Sequence, residues 1–128
     1  MKVFVWLGLL HFGSHSLMHQ ASPFSPFQRG DNMAIRLVVT ITAAPGKGSE
    51  VAQAYRVRCA EVMKERGCEQ FEVFQSVINP DKLALLERWT DQAALGVHAQ
   101  LNRDRPPPLP ELRVGRSERE DYEYNRTR

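Results

Sequence analysis

Gly67-Cys68-Glu69-Gln70-Phe71-Glu72-Val73-Phe74, then Asn79-Pro80-Asp81, then Leu85-Leu86-Glu87-Arg88-Trp89-Thr90-Asp91-Gln92-Ala93-Ala94-Leu95 and His98 is the stretch that decides the fold. Aromatic and aliphatic residues fill both flanks, and Asn-Pro-Asp between them is turn chemistry. The reading is a strand over 71–78, a hairpin, and a strand over 82–89 ending in Glu-x-Trp. Asp91 can cap a helix by accepting a hydrogen bond from an early backbone N–H. Beyond it Ala94, His98 and Leu101 recur at helical spacing with Leu95 beside them, so one histidine lies on an apolar stripe.

Working upstream, residues 34–43 are β-branched and read as a first strand. Ala44-Pro45-Gly46-Lys47-Gly48 breaks it, and Ser49 is the expected cap of a helix over 50–66. Val51, Tyr55, Cys59, Val62 and Met63 form the helix's apolar stripe, and Gly67 supplies its left-handed end. Downstream, Pro106, Pro107 and Pro108 exclude regular structure over 103–110. The strongly charged segment 112–124 supplies a fourth strand, leaving 125–128 as a tail. The order is β-α-β-β-α-β, an α+β, ferredoxin-like antiparallel sheet spanning residues 33–124.

The strand patterns carry a quaternary expectation. Leu37, Val39 and Ile41 alternate with Val38 and Thr40; Phe71, Val73 and Val77 with Phe74 and Ile78; Leu83 and Leu85 with Ala84 and Leu86. Two helices cover one face of such a sheet, and the other is normally polar. Here both faces carry apolar residues, which calls for a second protein surface. Two copies packed through the open face would form a dimeric α/β barrel.

At 128 residues, with 42% hydrophobic and 25% charged residues, the chain has the composition of one globular domain. A net charge of +2 with no basic stripe argues against nucleic-acid binding. Cys59 and Cys68 lack metal-ligand spacing and read as small buried thiols of a reducing, cytoplasmic compartment. Pro45-Gly46-Lys47-Gly48 lacks the spacing of a phosphate loop. Residues 1–32 read as an extension upstream of a start at Met33. The alternative is export, since Lys2 and the apolar run 3–10 have the shape of a signal sequence, with cleavage after Ser16. That run is too short for stable insertion in a membrane.

The strand–turn–strand–helix constellation resembles the antibiotic biosynthesis monooxygenase (ABM) domain, in the group that includes quinol monooxygenases, over residues 34–101. The resemblance implies the same dimeric barrel. It implies oxidation of a small electron-rich aromatic, a quinol or anthrone, by dioxygen with neither metal nor flavin. It makes Trp89 the wall of a pocket between sheet and helices, where otherwise it reads as a core or interface aromatic. His98 becomes the acid/base, where otherwise it reads as a buried, hydrogen-bonded histidine. Glu87, Tyr55 and Leu85 complete the expected pocket. An inward Glu87 needs a partner, and His98 is the candidate. The third strand lacks the Asn of the polyketide-oxidising branch, and the first strand lacks the Asn of the haem-degrading branch. The rival reading is a non-catalytic dimeric barrel that binds a small hydrophobic or signalling molecule.

Overall fold

The computed structural model describes residues 33–124. The expectations for residues 1–32 and 125–128 fall outside it. Strand β1 (Ala34–Thr42), helix α1 (Gly48–Val62), strands β2 (Cys68–Gln75) and β3 (Lys82–Trp89), helix α2 (Gln92–Leu101) and strand β4 (Glu118–Tyr124) follow in the expected order. The sheet is antiparallel throughout, ordered β2-β3-β1-β4, which is the ferredoxin-like arrangement.

Register sorts the residues between the two faces. Trp89 opposes Ile35, Glu87 opposes Leu37 and Phe71, and Leu85 opposes Val39 and Val73. These face the helices and form the core with Val51, Tyr55 and Val62 of α1 and Leu95 of α2. The alternate positions make the open face. Val38, Ala84 and Leu86 sit at its centre, and Arg36 opposes both Arg88 and Tyr122. Glu72, Glu118 and Glu120 share that face. It is therefore mixed, with an apolar centre and charged margins, rather than apolar throughout.

β2 begins earlier than its apolar run and ends before Val77 and Ile78. Those two side chains are 96% and 93% exposed and belong to neither sheet face. The Ser76 hydroxyl accepts the N–H groups of Ile78 and Asn79, while the Asn79 side chain accepts that of Asp81. This local bonding competes successfully with the strand ladder and lengthens the turn. α1 likewise stops at Val62, because Lys64 and Glu65 bond back three residues to Glu61 and Val62 and tighten the chain. Met63 consequently leaves the apolar stripe and is exposed. On α2 the inward stripe runs Leu95, His98, Asn102, and Leu101 also turns outward.

Ser49 does not cap α1. The carboxylate of Asp81, carried by the β2–β3 turn, accepts the Gly46 N–H at 2.8 Å and the Gly48 N–H at 2.9 Å. Ser49 instead accepts a hydrogen bond from Gln75. Gly48 permits this arrangement, since a Cβ there would lie 1.8 Å from the Pro80 carbonyl oxygen. Asp91 caps α2 as expected, its Oδ1 accepting the Ala94 N–H at 2.8 Å. The proline-rich segment is strapped across α1 by Arg58, which donates to the Pro106 carbonyl, and by an Arg105–Glu61 pair. Bonds from Ala44 N–H to Leu112 O and from Val114 N–H to Thr42 O then lead it back to the edge of β1.

The Gly46 and Gly48 N–H groups hold the Asp81 carboxyl below its ordinary value. A depressed carboxylate stabilises the fold above the unfolded-state pKa, about 3.9, and that contribution disappears as pH falls through the native value. Asp81→Ala is expected to lower Tm at neutral pH, and the gap from wild type should close in acid. Thermal melts between neutral pH and pH values below the carboxylate range check this; a gap independent of pH contradicts the cap.

Candidate functional site

The period-two alternation of β3 turns Leu85, Glu87 and Trp89 toward the helices. Trp89 is completely buried, and its indole N–H donates to Glu87 Oε2 at 2.9 Å. The donor needs a partner inside the core, and its own strand supplies one two residues earlier. Burial pushes the Glu87 carboxyl up from its ordinary value. The Trp89 N–H, His98 and Arg119 pull it back, and Asp121 adds to the rise. Arg119 and Asp121 reach this carboxyl from β4, where Asp121 lies in register with Leu37.

Asp91 begins α2 two residues after Trp89, so the first turns of the helix fold back over the indole. His98 lands on it, with ring centroids 4.5 Å apart and planes inclined by 37°. Phe71 of β2 forms the adjacent wall, 5.5 Å away at 58°. The expected Glu87–His98 bond is replaced by another. His98 Nδ1 lies 2.7 Å from Oε2 of Glu65, in the turn after α1, with the two side chains 11% and 18% exposed. Asn102, at the end of α2, places its amide nitrogen 3.1 Å from the same Nδ1 and donates to the His98 carbonyl at 2.9 Å.

The other two expected residues are buried but differently engaged. Leu85 packs between Val39 and Val73 as plain wall. The Tyr55 hydroxyl, on α1, accepts a bond from Arg113, which also donates to Ser117. Burial raises the Tyr55 pKa, with Arg113 and Arg58 opposing. The structure thus joins Glu87, Trp89 and His98 into one cluster and gives Tyr55 a separate partner. Glu65, Phe71 and Asn102 complete the cluster, and none was among the expected site residues.

Trp89, Phe71, the His98 imidazole and the buried Glu87 carboxyl thus pack together at one end of the core. A separate open cavity of about 460 Å³ lies where the Gly67 turn meets the start of α2, lined by Arg66, Thr90, Asp91, Ala93 and Val97 among others. It shares no side chain with the cluster. Cys59 and Cys68 are free thiols, and burial pushes Cys68 up to about 11, so it is protonated at neutral pH. Among the described residues no group of three His, Cys, Asp or Glu side chains is arranged to hold a metal ion, and no helix is long and apolar enough to cross a membrane.

The fold has known relatives. The chain is similar in structure to a conserved protein from Methanosarcina mazei, with a TM-score of 0.65 and 29% identity over 73% of this chain and 95% of that one. It is similar to PA3566 from Pseudomonas aeruginosa, with a TM-score of 0.60 and 26% identity over 73% and 96%. A Nitrosomonas europaea protein, provisionally named an antibiotic biosynthesis monooxygenase, shares the fold at 16% identity, with a TM-score of 0.63 over 73% and 91%. No match was found among curated proteins. The sequence pattern of the antibiotic biosynthesis monooxygenase family matches residues 34–103, more than half of the chain. The chain belongs to the antibiotic biosynthesis monooxygenase family.

Proposed function

We propose that this protein is a cofactor-independent monooxygenase that oxidises a small electron-rich aromatic, a quinol or an anthrone, with dioxygen. The observation that carries the reading is His98 held against Trp89 by Glu65, beside Phe71 and a buried carboxyl. In this mechanism the planar ring docks against the partly exposed His98, which Trp89 and Phe71 support from the core, and His98 accepts a phenolic proton. The resulting anion is the reductant and passes an electron to dioxygen directly. Overall, the substrate gives up four electrons and two hydrogens. One oxygen atom enters the product, the other leaves as water, and no external reductant is needed. Burial raises the pKa of Glu87, and the Trp89 N–H, His98 and Arg119 oppose that rise. Exclusion of water by the surrounding core would protect the intermediate.

The working unit in this proposal is a homodimer joined through the open sheet face. The apolar centre of Val38, Ala84 and Leu86 supports it. So does the cross-strand pair Arg36–Arg88, since like charges directly opposite are unfavourable without a counter-charge. Arg88 Nε is buried with no partner among the described residues. Glu72, Glu118 and Glu120 on the same face mean that a second copy brings carboxylates to that surface.

Two experiments check the proposal. With reduced menadione or an anthrone, dioxygen uptake above autoxidation is expected without added metal or flavin. His98→Ala is expected to reduce it by about 10²-fold or more with circular dichroism unchanged. Lost stability, with no turnover in wild type to lose, would favour the binding-module reading. Leu86→Glu is expected to convert the dimer to monomer in analytical ultracentrifugation; unchanged mass would reject the open face as the interface.

A further inference from the structure

We infer that Glu65 is a positioning residue that fixes His98 as its Nδ1–H tautomer and leaves Nε2 as the proton-accepting atom. This assignment rests on the acid/base role proposed for His98. An ionised carboxylate can only accept hydrogen bonds. A bare Nδ1 lone pair 2.7 Å from Glu65 Oε2 would face another lone pair, so Nδ1 carries the proton. It carries it in the neutral and the charged ring alike, and only Nε2 changes state. A phenolic O–H bond therefore breaks toward Nε2, and the imidazolium that forms keeps its Nδ1–H bond to Glu65.

The turn that delivers Glu65 is tied on both sides. Its N–H donates to the Val62 carbonyl at 2.9 Å, and its carbonyl accepts the Cys68 N–H at 3.1 Å. Trp89 and Phe71 set the ring plane, so the carboxylate needs only to choose the tautomer. The neighbouring Asn102 makes that choice consequential. Its Oδ1 takes a bond from Arg58 at 3.4 Å, which aims its amide N–H at the His98 carbonyl and at Nδ1. Against a protonated Nδ1 the 3.1 Å contact pairs two donors and holds nothing. Without Glu65 the same amide would donate to a bare Nδ1, the ring proton would move to Nε2, and the base would be blocked. Glu87 of β3 also faces His98, and it is engaged by the Trp89 N–H.

The test is long-range proton–nitrogen NMR of the full chain labelled with 15N-histidine, at a pH where His98 is neutral. The chain has four histidines, and His98→Gln assigns the signal by its loss. Wild type is expected to show a pyrrole-type Nδ1 and a pyridine-type Nε2. Glu65→Met is expected to exchange the two patterns, and Asn102→Ala to keep the wild-type one. With quinol substrate, Glu65→Met is expected to lower kcat on the order of 10²-fold with little change in KM. An Nε2–H tautomer in wild type overturns the inference even if the variant does not fold. So does a wild-type pattern retained in Glu65→Met. If the tautomers behave as expected but wild type oxidises no quinol or anthrone, Glu65 keeps its positioning role and the proposed function fails.

Discussion

A hydrogen bond inside one strand, from the Trp89 indole N–H to Glu87, is the interaction on which the interior depends. Trp89 is the largest fully buried side chain of the core, and its donor has no access to water. Satisfying it brings a carboxyl into the apolar layer, where burial raises its pKa. The core is therefore aliphatic around Leu85 and polar around Glu87. The end beside Trp89 is where α2 returns with its histidine.

The approach of α2 is fixed from two sides. Asp91 caps the helix directly after β3 ends. Gly67, at φ +83°, lets the turn before β2 press against it, since a Cβ there would lie 2.5 Å from that of Ala94. A comparable constraint governs α1, whose first turn meets the β2–β3 turn through Asp81 and the contact of Gly48 with Pro80. Each helix start is thus clamped to a neighbouring turn. The ends near Glu65 and Asn102 can then meet across His98.

Much of this was legible in the chain because it is local. Alternation along 82–89 put Glu87 and Trp89 on one face with Leu83 and Leu85, and spacing from Asp91 put His98 on an apolar stripe. What failed were features decided between elements or by competing local bonds. Asp81 reads as a turn former, and nothing near it in sequence shows that it caps a helix thirty-odd residues upstream. Ser49 offers the right oxygen, yet a carboxylate from the neighbouring turn outcompetes it. Val77 and Ile78 have strand propensity, but the Ser76 and Asn79 side chains bond the backbone first. Glu65 lies on no periodic stripe. Only the tightened end of α1 brings it to His98, so no pattern in the sequence marks it as part of the site.

In the proposed reaction, substrate electrons alone reduce dioxygen at the His98–Trp89 site, with one oxygen atom kept in the product. Turnover under 18O2 followed by mass spectrometry of the product tests it most directly. One 18O atom per product molecule is expected, with the other recovered in water. Product free of label, with hydrogen peroxide released in its place, would contradict monooxygenation and make the protein an oxidase or a bystander to autoxidation.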